Sequence, residues 1–269
     1  MPVTVELEGR LARITLARPP LNVLDLEHLG LLADAVEEAG DAAVVLLRAG
    51  EGCRAFSAGN DVKDHVRERA PAMLERFHRA VRGLLETDAI TVADVTGDAL
   101  GGGCELVLAC DVAYAAPKAR FGQPEIDVGC FPPVAAALLP RRVGWTRAVE
   151  LIATGRRIDA AEAARIGLVT AGGEAGPVVE TLLAKSPDVL RATKAALRAG
   201  GLAAAEEIYV RRLLPLADCE EGVRAFLKAV RTRQEPSTSP EDAMRALRTA
   251  LRIVEAIGDP RAPREREGA

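Results

Sequence analysis

Apolar and polar positions alternate over residues 3–7 and 12–16, so the chain should open with two short strands around a turn at Gly9. Pro19-Pro20 interrupts that pattern. From Asp25 the spacing changes: Leu26, Leu29, Ala33 and Val36 recur three or four positions apart, which places them on one face of a helix. Residues 43–47 are continuously apolar and suit a strand covered on both faces. A glycine-rich loop follows, and then Leu74, Phe77, Val81 and Leu84 form the stripe of a longer helix. Residues 90–95 predict another buried strand, 97–103 a flexible turn, 105–109 the start of a helix, and 112–115 a strand.

From about Pro140 the chain reads as helical and alanine-rich, over residues 146–153, 160–166 and 187–199. Two further helices, over 202–216 and 220–231, suggest a smaller carboxyl-terminal region. Residues 235–240, Glu-Pro-Ser-Thr-Ser-Pro, have the composition of a linker. One more amphipathic helix is expected from Pro240 to about Ile257, with frayed residues from 260 to 269. The succession of strand, loop, helix and strand has no convincing sequence period, and it predicts an α/β layered core with helices covering sheets.

Composition narrows the functional classes. With 269 residues, 49% of them hydrophobic, the chain can bury one large core, with or without a small appendage. Its 35 basic and 39 acidic residues are spread evenly and leave a net charge of -4, so no positive block offers a footprint for nucleic acid. No apolar run approaches the length of about 20 residues that a membrane-spanning helix needs, and a soluble, cytoplasmic protein is expected. Cys53, Cys104, Cys110, Cys130 and Cys219 are irregularly spaced, which fits reduced and partly buried thiols. His28, His65 and His78 have no metal-ligand spacing, so no metal is expected.

Two loops could carry chemistry: residues 55–61, Ala-Phe-Ser-Ala-Gly-Asn-Asp, and 97–105, Gly-Asp-Ala-Leu-Gly-Gly-Gly-Cys-Glu. Each sets small residues after an apolar strand and ahead of a helix, where backbone N–H groups can point at an anion. Either loop alone reads first as a tight turn, and neither matches the dinucleotide or phosphate-loop fingerprints. Ser57 lacks the glycine two residues earlier that a nucleophile elbow needs, because Ala55 stands there. Glu105, just inside a helix, and Glu125, in a bend after the next strand, could face one cavity and divide acid and base roles. Each alone also fits a solvated charge or a helix-start residue, and Asp61 fits a helix cap.

These segments occur together, and in this order they resemble the enoyl-CoA hydratase/isomerase (crotonase) family. The similarity rests on Gly-Asn-Asp-Val-Lys at 59–63, Gly-Gly-Gly-Cys-Glu-Leu at 101–106, Cys-Asp-Val at 110–112 and Phe-Gly-Gln-Pro-Glu-Ile at 121–126. It extends from about residue 3 to Pro236, with 18–24 and 158–169 also similar. The resemblance implies a crotonase-like spiral of strand–strand–helix units over 1–186, a helical region over 187–236 that assembles homotrimers or homohexamers, and an added extension over 237–269. It implies that the backbone N–H groups of Asn60 and Gly102 hold a thioester oxygen. Glu105 would activate water, and Glu125 would exchange a proton with substrate carbon. Ala58 and Lys63 match positions near the CoA adenine and phosphates.

Retention of both glutamates favours hydration of an acyl-CoA in fatty acid or aromatic acid degradation, with no cofactor beyond the CoA of the substrate. The alternatives are an isomerase or another enzyme of the family, or a CoA-binding subunit without turnover. Residues 123–136 depart from the typical hydratase pattern, which continues Pro-Gly-Ala-Gly-Gly after the glutamate. Here Cys130-Phe131-Pro132-Pro133 follows, and the segment resembles the branch of the family that hydrates cyclic dienoyl-CoA. So do residues 61–65 and 208–210. A prolyl pair in place of glycines would stiffen and reshape the acyl site.

Overall fold

A computed structural model describes residues 2–214. The expected helices at 220–231 and 240–257, the linker, the tail and Cys219 lie outside the described residues. The chain divides into two compact units, the first running to Arg198 and so holding nearly all of the helix Pro187–Ala199.

Strands β1 (Val3–Glu8) and β2 (Leu11–Leu16) form an antiparallel hairpin, as the alternation predicts. Val23–Leu24 is β3, and α1 (Leu26–Glu38) starts at Asp25, whose Oδ1 accepts from the N–H groups of Glu27 and His28 at 3.1 Å. Three successive passes then repeat one arrangement. Strand β4 (Val44–Ala49) leads through β5 (Ala55–Ser57) and β6 (Gly59–Asn60) to α2 (Ala70–Glu86). Strand β7 (Ile90–Val95) leads through β8 (Asp98–Leu100) to α3 (Gly102–Ala109), and β9 (Val112–Ala115) leads to β10 (Arg120–Gly122).

The long strand of each pass joins a six-stranded sheet in the order β1-β2-β4-β7-β9-β12, where β12 is Ala171–Gly172. The short strand joins a second sheet, β11-β10-β8-β5, where β11 is Ile158–Asp159. β2, β4, β7 and β9 pair in parallel, as do β5, β8 and β10. The chain thus climbs as a spiral of strand–strand–helix units.

Parallel strands covered on both faces need continuous apolar sequence, and Val44, Val45, Leu46 and Leu47 are all buried. The α2 stripe is buried at Phe77, Val81 and Leu84, packing α2 against α1. Full burial of each such side chain stabilises the fold by about 1.5–3 kcal/mol.

Two expectations need correction. The flexible turn at 97–103 contains β8, and α3 begins at Gly102 rather than Glu105. A three-residue strand is too short to show a period of two; its pairing with β5 and β10 creates it. Helix also begins before Pro140: α4 spans Pro133–Val143, with Pro133 at its first position, where the missing N–H costs nothing.

The remaining helices of the first unit are α5 (Trp145–Thr154), α6 (Ala160–Arg165), α7 (Gly176–Leu183) and α8 (Pro187–Ala199). In the second unit, α9 (Leu202–Ile208) runs into a π-helical turn over Tyr209–Leu213. No helix among the described residues is long and apolar enough to cross a membrane.

Candidate active site

The two loops meet because β5 and β8 pair in parallel, setting the residues after each strand side by side. Asn22 anchors the first loop from below: fully buried, it donates to the carbonyls of Ala55 and Phe56 at 3.3 and 2.9 Å. Ser57 is also buried, donating to the Asn22 carbonyl at 2.8 Å and accepting from the Gly59 N–H at 3.0 Å. Its hydroxyl therefore braces the loop, consistent with the missing elbow. Asp61 caps a 3-10 turn over Val62–Asp64, accepting from the Lys63 N–H at 3.0 Å.

The second loop turns at Gly101, with φ 52° and ψ -126°, a region open to glycine and strained for other residues. A Cβ at Gly101 would lie 2.5 Å from Glu125 Oε1, so the turn and that carboxyl are in close approach. Gly102 opens α3, where backbone N–H groups lack partners within the helix. It lies against Asn60: a Cβ there would be 2.8 Å from Asn60 Oδ1 and 3.3 Å from Asn60 N. The two backbone amides proposed to hold an oxygen are thus neighbours.

Asn60, Glu105 and Glu125 line one cavity of about 360 Å³, together with Phe77 and Leu74 of α2 and with Pro132 and Pro133. Glu105 is 2% exposed, which removes the reading as a solvated charge. Its Oε1 accepts from the Ala135 N–H at 2.8 Å, at the amino-terminal end of α4. Burial nevertheless wins over that hydrogen bond, and the Glu105 carboxyl is pushed up to about 7, with the charge of Glu125 adding to the rise. Glu125 sits in the 3-10 turn Pro124–Val128, half-buried, and burial raises its pKa as well. Two carboxyls with raised pKa values in one apolar cavity can exchange protons with a molecule bound there.

A second cavity, of about 690 Å³, is lined by Ala58, Leu21 and Leu100 and by four exposed cations: Arg54, Lys118, Arg120 and Arg157. Leu100 and Pro124 line it while their chain neighbourhood, Gly101 and Glu125, borders the first cavity. The two cavities thus lie on either side of the Gly101 turn and the Pro124–Glu125 step. Lys63 is exposed on its 3-10 turn and lines neither cavity. The four cations escaped the sequence reading because they come from separate segments and carry no local signal. The α4 terminus that holds Glu105 had a signal: Pro133 at a first helical position.

Comparison with known proteins agrees with this architecture. The family model described as enoyl-CoA hydratase/isomerase matches residues 6–213. The chain is 36% identical over 243 residues to the cyclohexa-1,5-dienecarbonyl-CoA hydratase of Thauera aromatica, covering 84% of this chain and 93% of that protein. It is 33% identical over 214 residues to the short-chain-enoyl-CoA hydratase of Clostridium acetobutylicum, covering 74% and 81%. The crystal structure of an enoyl-CoA hydratase from Bacillus anthracis superimposes with a TM-score of 0.78 at 28% identity, covering 88% of this chain and 98% of that one. The spiral, the paired loops and these relatives agree: the chain belongs to the enoyl-CoA hydratase/isomerase (crotonase) family.

Proposed function

We propose that the protein adds water across the conjugated double bond of an enoyl-CoA thioester. The observation that carries this reading is the pair Glu105 and Glu125, both with raised pKa values, in a cavity beside the backbone of Asn60 and Gly102. The thioester oxygen accepts from the N–H groups of Asn60 and Gly102, which stabilises the negative charge that develops there. Removal of one such donor typically costs about 100- to 1,000-fold in rate.

The Glu105 carboxylate takes a proton from water as the oxygen bonds to the β-carbon. The electron pair of the double bond moves toward the thioester oxygen, forming an enolate. When it returns, the α-carbon takes a proton from the Glu125 carboxyl. Water is consumed, Glu105 ends protonated and Glu125 ionised, and that state starts the reverse reaction. The pair therefore works with one proton between two carboxyls, a state that burial of both carboxyls favours over double ionisation.

In this reading the CoA portion lies in the cationic cavity, along Ala58, with phosphates on Arg54, Lys118, Arg120 and Arg157 and with Lys63 adding charge from outside. A cyclic dienoyl group is the favoured acyl chemistry. Support comes from the compact apolar cavity walled by Phe77, Pro132 and Pro133, and from the Thauera aromatica relative. Such a substrate points to aromatic acid degradation in the cytoplasm, with no cofactor beyond CoA and undiminished turnover after dialysis against a chelator. Assembly as a homotrimer or homohexamer accords with the exposed Phe131 and Trp145, 65% and 75% accessible, and light scattering of the purified protein tests it.

The deciding experiment mixes the protein separately with crotonyl-CoA and cyclohexa-1,5-diene-1-carbonyl-CoA and follows products by mass. Gain of one water on the cyclic diene alone supports the specialised hydratase, and gain on crotonyl-CoA a general one. No gain on either, from protein that binds both thioesters, overturns the reading.

A further inference from the structure

The acyl cavity is mostly apolar, yet His65 brings an imidazole into its wall. His65 follows the 3-10 turn after β6, and its Nδ1 lies 3.0 Å from the Asp61 carbonyl oxygen. A carbonyl can only accept, so Nδ1 carries a proton and Nε2 of the neutral ring is left as an acceptor. In the same cavity Glu125 Oε2 is buried without a hydrogen-bond partner among the described residues. Leaving such an atom unpaired is costly, and a half-buried imidazole nearby offers what it lacks. We propose that His65 is a positioning residue for Glu125: its Nε2 shares a proton with the Glu125 carboxyl, directly or through one water, and so governs that carboxyl's charge.

The inference rests on the role given to Glu125 in hydration. Burial raises the Glu125 pKa, and the charge of His65 opposes the rise. The elements that build this part of the cavity carry other ionisable groups. From α3 comes Glu105, from the turn of Glu125 itself Asp127, and from the segment after β6 Asp61, Lys63 and Asp64, the last paired with Arg69 at 2.7 Å. The face of α2 turned to the cavity carries Ala70, Met73, Leu74 and Phe77, none of them ionisable, and the remaining ionisable group in the wall is the thiol of Cys130.

The direction of the effect follows from charge. The proton shared with Nε2 stays at the Glu125 end of the pair, and an imidazole beside it resists protonation of both glutamates together. The working state with one proton then survives to lower pH. Without the imidazole, the acid limb of kcat/KM for hydration moves to higher pH.

Two measurements test this. The first is the titration midpoint of the His65 C2 proton by NMR in the wild type and in Glu125→Gln, the resonance being assigned by its loss in His65→Gln among only three histidines. Linkage requires the two groups to respond to each other, so the His65 midpoint in E125Q should differ from that of the wild type. Equal midpoints overturn the proposal. The second is the pH profile of H65Q and His65→Leu, in which a uniform fall with an unmoved acid limb also overturns it. A shifted His65 midpoint in a protein that hydrates no enoyl-CoA upholds the pairing and removes only the hydratase reading.

Discussion

Gly101→Ala separates stability from chemistry at one position. The backbone there has φ 52° and ψ -126°, and forcing a side chain into so sparsely populated a region costs about 1–3 kcal/mol. The new Cβ would also meet Glu125 Oε1 at 2.5 Å. An unstrained carbon–oxygen contact is about 3.3 Å, so the carboxyl must retreat by roughly 0.8 Å. A carboxyl at the end of a flexible side chain can make that move, so the fold survives. Its proton-transfer geometry suffers instead, and a displacement of about 1 Å can cost ~100-fold in rate, or about 2.7 kcal/mol of activation free energy. The expected result is a melting temperature lowered by several degrees and kcat/KM lowered ~100-fold, read from the ultraviolet absorbance of the conjugated thioester. In a background already carrying Glu125→Gln, G101A should cost almost no further activity, because both changes act on the same carboxyl. A drop in melting temperature with kcat/KM within threefold of wild type would refute the reasoning.

Burial pushes the Glu105 carboxyl up to about 7 in the folded protein, from an ordinary 4.5, so the native state binds more protons than the unfolded chain between those values. Its contribution is fully present below about 4.5 and is lost as pH rises through 7, a cost of about 3 kcal/mol for the 2.5-unit difference. Glu105→Gln should remove that loss, gaining stability on the wild type in urea denaturation between pH 5 and pH 8; parallel pH dependence of both proteins would refute it. Arg54→Ala should raise KM for a CoA thioester about fivefold to tenfold and leave the matching pantetheine thioester unchanged, since the latter lacks the phosphates. An equal rise for both substrates would place Arg54 outside phosphate recognition. Phe77→Ala, at a fully buried side chain shared by the core and the acyl cavity, should cost about 3–5 kcal/mol in the same denaturation assay. A loss below 1 kcal/mol would mean that α2 repacks.

The sequence by itself determined the long elements. Residues 44–47 lie in a strand because a sheet covered on both faces accepts such a continuous apolar run, and α1 and α2 are helices because their apolar residues recur at helical spacing. It also held the ordered segments that carry Asn60, Gly102, Glu105 and Glu125, and with them the resemblance to the family.

Only the tertiary structure decided what those residues meet. β5, β8, β10 and β11 have two or three residues each, too few for a pattern, and exist because the spiral stacks them. Glu105 reads in sequence as a charge near a helix start, and becomes a buried carboxyl because the first turn of α4, thirty residues on, donates the Ala135 N–H to it. His65 enters the wall of the same cavity, and Arg54, Lys118, Arg120 and Arg157 gather around the second one, from segments whose separation along the chain hides their proximity. Hydrophobic periodicity reports on neighbours within one element. The environment that sets a carboxyl's pKa is made by elements distant in sequence, so it is fixed only when the spiral closes around it.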